Sequence, residues 1–358
     1  MWVIILLKRF AFVLCFLFII PFNCYGAENS ASSAIVIDAD TKTILYEKNA
    51  YECRSMASTT KIMTALLAIE SNKLDNLVVI TAEMLDTEGS SLGLKVDDNI
   101  TLNDLVVGMM MTSGNDSANA VAYFLGKDLN GFAKMMNDKA KEIGMKSTVF
   151  VTPSGLDEGE HHSTAYDMAV LGAYAIKNEA FAKISAMKSA DITISNKKIT
   201  VYNHNKLLAM DENFFGIKTG YTSKAGRCLV SAKKHKGNSL VCVTLNAPDD
   251  WNDHIRLMNE CGEKYKKQTV KKNIEIPVVG SDAQTVNCKY KGEYYALGEV
   301  TVKLYYYPFV YAPVKKGDMV GTACVYKNKE LIERLPLKAD EDLNYAKQER
   351  SQTTEIYG

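Results

Sequence analysis

A serine and a lysine three residues apart, in Ser58-Thr59-Thr60-Lys61, make a pairing with a definite chemistry. If the segment opens a helix, that spacing puts the hydroxyl and the ammonium on one face, one turn apart. A serine hydroxyl is a poor nucleophile until a neighbouring base takes its proton. A lysine can be that base when burial or a second cation disfavours its charged form, and a helix N-terminus favours negative charge developing beside it. Alone, the pair equally describes a capped amphipathic helix with a solvated lysine. Two later motifs tip the balance: Ser113-Gly114-Asn115 interrupts a helical stretch, and Lys218-Thr219-Gly220 precedes a β-type run.

These residues need elements to position them. Ala34–Asp38 and Thr43–Tyr46 flank the turn-forming Asp40-Thr41-Lys42 and predict a hairpin. From Ser58 the period becomes helical, with Ile62, Ala65, Leu66 and Ile69 on one stripe. Further helices are expected over 101–111, 118–125, 132–143 and 164–176, strands over 192–201, 226–232 and 239–246, and a helix over 251–266. Hairpin, helical block, strands, helix is the order of an α/β (α+β) domain with an antiparallel sheet. The basic stretch 264–272 has the composition of a solvated linker. Beyond it, short β-rich segments punctuated by glycine and proline predict a small all-β domain. The boundaries expected are 1–26, 27–268, 269–338 and a polar tail, 339–358.

The 358 residues carry 42 Lys plus Arg against 42 Asp plus Glu. No net basic field recruits nucleic acid. Lys8 and Arg9 followed by the uncharged Phe10–Phe22, with small residues at Cys24-x-Gly26, predict an export signal cleaved after Gly26. The mature chain is therefore expected outside the cytoplasm, at the cell wall or the outer face of the membrane. Six cysteines follow the signal, none in a CxxC pair. Cys228 and Cys242 stand symmetrically about Lys234–Gly237 and could face each other across a hairpin, although buried free thiols are the commoner use. His161-His162 could suggest a metal site, but no further ligand stands at metal spacing, and Ser163-Thr164 has the character of a helix cap. No metal or cofactor is expected. Tyr305-Tyr306-Tyr307-Pro308-Phe309 could bind a sugar or a partner protein, but is taken as a β-edge with one buried face.

The three motifs in this order form the set known from penicillin-binding proteins and class A β-lactamases. The resemblance extends further. Met56–Ala65, Glu88–Leu94, Ser113–Ala120, Pro153–Leu156 with His162–Ala165, and Phe215–Thr222 with Ala225-Gly226 resemble the low-molecular-mass penicillin-binding proteins. These are the serine-type D-alanyl-D-alanine carboxypeptidases, whose C-terminal β domain matches the region after 270. The resemblance implies a serine DD-carboxypeptidase that removes the terminal D-alanine of peptidoglycan stem pentapeptides and is trapped by β-lactams. Ser58 would be the nucleophile, Lys61 its base, and Ser113 the proton relay to the leaving amine. Asn115 would hold a substrate amide and orient Lys61. Lys218 and Thr219 would bind the terminal carboxylate, and the segment through Gly220 to Tyr221 would complete the site, the amides of Ser58 and Tyr221 forming the oxyanion hole.

There are departures from the family pattern. The family arginine for the substrate carboxylate has no clear counterpart; Arg256 and His254 are the nearest candidates, with a helix-surface role as the plainer use. The C-terminal segment is too acidic and too sparsely apolar for a membrane-lying helix, so membrane association there is expected to be weak or absent. DD-endopeptidase cleavage of cross-links is an alternative activity. A β-lactamase is another, but Asp157-Glu158-Gly159-Glu160 lacks the loop pattern that would supply its deacylating glutamate.

Overall fold

A computed structural model describes residues 29–327 and 329–347. The expected signal lies outside these residues. The chain divides into two compact units between Leu257 and Met258.

In the first unit, β1 (Ser33–Asp38) and β2 (Ile44–Lys48) form the expected hairpin. The helical block is α1 (Lys61–Glu70), α2 (Leu102–Thr112), α3 (Asn115–Gly126) and α4 (Leu129–Ile143), with a short ribbon of β3 (Leu77–Val79) and β4 (Asn99–Thr101). Then follow α5 (Ala165–Ala175) and α6 (Glu179–Ala186), the latter absent from the sequence reading. The β5 (Ser189–Ile194) and β6 (Lys197–Tyr202) ribbon precedes β7 (Phe214–Thr222), β8 (Gly226–His235) and β9 (Asn238–Leu245). Finally α7 spans Asp250–Lys264 and contains the boundary between the two units. Caps fall where side chains can satisfy free amides: Thr101 starts α2, Asp128 α4 and Thr164 α5.

The five-stranded sheet runs β2-β1-β9-β8-β7, antiparallel throughout. Alternation along its strands sorts two faces. Val230 and Val241 lie against α5, where a Cβ on Gly172 would stand 3.2 Å from each. Ser231 and Thr244 point the other way and bond the two ring nitrogens of His254 on α7, at 2.6 and 2.9 Å.

The same alternation separates Cys228 from Cys242. Ser231 is opposite Cys242, so the hairpin turns at Lys236-Gly237 rather than around residue 235. Cys228 then shares a face with Val230 while Cys242 shares one with Ser231. Both thiols are free and buried, so the expected pairing does not form.

The second unit is all β. A six-stranded sheet runs β12-β14-β15-β11-β10-β13, from β10 (Tyr265–Val279), β11 (Thr285–Leu297), β12 (Val300–Tyr306), β13 (Val310–Tyr311), β14 (Met319–Lys327) and β15 (Glu330–Ala339). Ile276, Val286, Cys288, Ala323 and Leu337 fill its main core. Residues 264–272, expected as a linker, are mostly strand β10. Its lysines face water, with Lys267 on Glu293 at 2.5 Å, while the ladder to β11 runs unbroken from Tyr265 to Pro277. The aromatic run also differs from expectation: Tyr305, Tyr306, Tyr307 and Phe309 are all exposed rather than half-covered. After β15 the chain stays tied to the unit, with Leu343 paired to Val314 and Ala346 donating to the Gly280 carbonyl.

Candidate active site

Ser58 sits on a single 3-10 turn, Ala57–Thr60, that leads into α1. The turn is clamped from two sides by glycine backbone. A Cβ on Gly155, whose φ is +89°, would stand 1.9 Å from the Ala57 carbonyl oxygen; one on Gly220 would stand 2.9 Å from the Ser58 nitrogen. Any side chain at either place would push β7 or the 152–155 turn off the nucleophile.

The ammonium-bearing end of Lys61 is wholly buried. Its Nζ lies 2.8 Å from Ser58 Oγ, 2.7 Å from Asn115 Oδ1 and 2.6 Å from the Ser154 carbonyl oxygen. Burial first, and then the charge of Lys218, hold its pKa well below that of an ordinary amine, against an opposing pull from Asp116. The partners fit a neutral amine. Two of them only accept, and so take its two N–H bonds; the lone pair is left for the one neighbour with a proton to give, the Ser58 hydroxyl. Asn115 cannot flip to spoil this, because its Nδ2 donates to the Glu88 carbonyl at 2.6 Å.

Ser113 closes α2 in the left-handed region, φ 63°, which turns the chain sharply into α3 and aims its hydroxyl at β7. There Lys218 Nζ donates to Ser113 Oγ at 3.1 Å and to the Thr219 carbonyl at 3.0 Å. Burial alone pushes Lys218 down to about 7. Asp116 fastens the loop over this turn, accepting from the amides of Leu92 and Gly93 and from Ser91 Oγ. The structure therefore brings Ser58, Lys61, Ser113, Asn115, Lys218, Thr219 and Gly220 around one cleft. Tyr221 stands at its rim, largely exposed.

The cleft measures about 280 Å³; its lining includes Ser90, from the segment 88–94 that carries part of the resemblance, and residues that the sequence did not announce: His204, Arg227, Asp250 and Trp251. Burial and the charge of Lys218 lower the His204 pKa. Arg227 lies directly opposite Tyr221 in the β7–β8 register. Its Nη2 meets Asp250 at 2.6 Å, its guanidinium lies 5.5 Å from the Trp251 ring, and its buried Nε has no partner. A guanidinium in the lining of a cleft is suited to an anionic ligand.

Arg256 and His254 do not line the cleft. Arg256 pairs with Asp253 at 2.7 Å, and His254 is a core residue whose imidazole is saturated by Ser231 and Thr244. His161 is likewise structural, accepting from the amides of Val151 and Thr152 and meeting Thr60 Oγ1 at 2.9 Å.

A family model described as D-alanyl-D-alanine carboxypeptidase matches residues 22–249, and one described as penicillin-binding protein 5, C-terminal domain, matches 257–345. The D-alanyl-D-alanine carboxypeptidase DacF of Bacillus subtilis is 32% identical over 341 residues, 89% of this chain and 87% of its own. DacC of Escherichia coli is 31% identical over 93% of this chain and 90% of its own. An E. coli D-alanyl-D-alanine endopeptidase is 29% identical over 72% and 88%. Among solved structures, penicillin-binding protein 5 of Haemophilus influenzae superposes with a TM-score of 0.66 at 27% identity, over 88% of this chain and 98% of that one.

Proposed function

Since the chain belongs to the D-alanyl-D-alanine carboxypeptidase family of serine hydrolases, we propose that the cleft around Ser58 trims the terminal D-alanine from peptidoglycan stem pentapeptides, with the following division of roles. Ser58 Oγ attacks the carbonyl carbon between the last two D-alanines as Lys61 takes its proton. The tetrahedral oxyanion is held by the amides of Ser58 and Tyr221, each such donor contributing about 3 to 4 kcal/mol. Ser113, fixed by Lys218, carries the proton to the leaving amine as the C–N bond breaks. Water then cleaves the ester and regenerates the hydroxyl.

Lys218 and Thr219 receive the substrate carboxylate, and we add Arg227, whose side chain lines the same cleft. Asn115 orients Lys61 through Oδ1 and retains one Nδ2 hydrogen for a substrate carbonyl. A β-lactam carries the same carboxylate and an activated amide, so it would acylate Ser58 and remain there. The substrate places the working enzyme outside the cytoplasm.

The observation that carries this reading is the buried Lys61 amine, 2.8 Å from Ser58 Oγ and otherwise surrounded by acceptors. Mass spectrometry of a pentapeptide digest tests it: loss of one alanine with the wild type and none with Ser58→Ala. An unchanged pentapeptide in both samples would refute it. A second activity, cutting D-alanyl cross-links, is favoured by the endopeptidase relative. Parallel digests of monomeric and cross-linked muropeptides separate the two.

A further inference from the structure

The second unit carries an aromatic groove of about 530 Å³ that the chemistry at Ser58 does not use. The segment 307–314 forms one wall and residues 318–320 the other, joined where the Tyr307 amide reaches the Val320 carbonyl at 3.5 Å. Tyr307 and Tyr311 are each 68% exposed, and Met319 is 69% exposed. Phe309 and Tyr311 stand edge to face, ring centroids 5.4 Å apart at 89°. A contiguous patch of this kind costs solubility unless it has an occupant, and its volume falls within the roughly 300 to 1,000 Å³ of small-ligand sites.

The charges decide what kind of occupant fits. Asp318 is the only charged residue among those lining the groove, and the charges around it are mixed: Lys315 and Lys316 precede it, Lys338 lies opposite Met319, and Asp340 pairs with Lys289 and Lys316. The lining itself holds no cation of the kind an anionic lipid surface requires. A neutral polyhydroxylated ring suits all of the features at once. Its C–H face lies on tyrosine, its hydroxyls bond the phenol groups and the Asp318 carboxylate, and no charge has to be buried.

We infer that this groove binds the sugar rings of a glycan strand, specifically the N-acetylated aminosugar backbone from which stem peptides hang. The inference rests on the peptidoglycan reading of the Ser58 cleft for the choice of sugar, but is tested apart from it. Peptide-free glycan strands, which the catalytic cleft has no reason to bind, and chitotetraose are the probes. Purified wild-type protein and Ser58→Ala should co-sediment equally with the strands and bind chitotetraose in calorimetry. The double variant Tyr307→Ala/Tyr311→Ala should lose at least tenfold in affinity for both while hydrolysing a soluble acyl-D-alanyl-D-alanine peptide at the wild-type rate.

Tyr307→Phe/Tyr311→Phe, which keeps the stacking faces, should lose only a few-fold. Asp318→Asn, which retains an oxygen for the Lys315 amide, should lose several-fold without touching an aromatic ring. Wild-type protein that ignores peptide-free strands, alanine variants that bind them unchanged, or binding to phosphatidylglycerol vesicles in preference to glycan would each overturn the inference. Glycan binding by a protein that fails to cut the soluble peptide would uphold it and refute the catalytic reading instead.

Discussion

Arg227 and Asp250 meet at 2.6 Å on the rim of the cleft that contains Ser58, and the guanidinium keeps one buried N–H unpaired. The carboxylate is itself buried, so the pair is rigid, and Trp251 packs beside it. A hydrogen bond from a charged group contributes about 1.5 to 3 kcal/mol. Arg227→Ala should therefore lower kcat/KM roughly ten- to a hundredfold for a peptide ending in a free carboxylate. The same variant should barely alter turnover of the C-terminal amide, because the lost interaction is with the carboxylate. Equal losses on acid and amide substrates would remove Arg227 from substrate binding.

Lys61 supports a second prediction. Replacing it with arginine keeps a long basic side chain but installs a guanidinium that stays protonated. The lone pair facing Ser58 disappears, and general-base assistance, typically worth about 10² to 10⁴-fold, goes with it. Labelling of Ser58 by fluorescent penicillin should slow by about that factor in Lys61→Arg. Labelling at the wild-type rate would mean that another group deprotonates Ser58.

A third prediction concerns pH. Burial and the charge of Lys218 hold the Lys61 pKa well below that of an ordinary amine, and burial pushes Lys218 down to about 7. In the role proposed for it, Lys218 binds the substrate carboxylate in its charged form, and that form fades as pH rises through its pKa. For the free enzyme, kcat/KM should decline on the alkaline side with a midpoint near 7. Lys218→Arg should move that limb to higher pH. An alkaline limb that stays put in the variant would assign it to a different group.

Much of this site is visible in the chain because its chemistry is local. Ser58 and Lys61 are one helical turn apart, and Ser113-Gly114-Asn115 can only be a break between helices. Arg227 escapes notice for a physical reason: it reaches the cleft through strand register. Lys218-Thr219-Gly220 looks like a loop ahead of a strand, because two glycines interrupt Phe214–Thr222; it is in fact the strand β7. Once it pairs with β8, Arg227 falls opposite Tyr221. Ser154 is hidden differently, since it contributes a backbone carbonyl, which any residue type could supply. The lysines of 264–272 mislead because an exposed strand face and a solvated linker share a composition. Cys228 and Cys242 mislead because a turn displaced by one or two residues carries one of them to the opposite face.

The buried histidines set the acid limit of the fold. Burial pushes His254 down to about 3 and His161 down to about 4, the latter despite the nearby Asp157. In the unfolded chain each imidazole takes a proton near pH 6.5. The native state declines that proton because protonating His254 would break its acceptor bond from Ser231 or Thr244. Between those values the unfolded state holds more protons, so stability is complete above about pH 6.5 and is lost as pH falls. At about 1.4 kcal/mol per unit, His161 alone accounts for a loss on the order of 3 kcal/mol by pH 4. Urea midpoints measured from pH 7.5 down to 4.5 should fall steadily in the wild type. In His254→Gln, which keeps a polar side chain but cannot titrate, the midpoint should start lower at pH 7.5 and fall less steeply. Parallel slopes in the two proteins would show that His254 is not among the groups that sensitise the fold to acid.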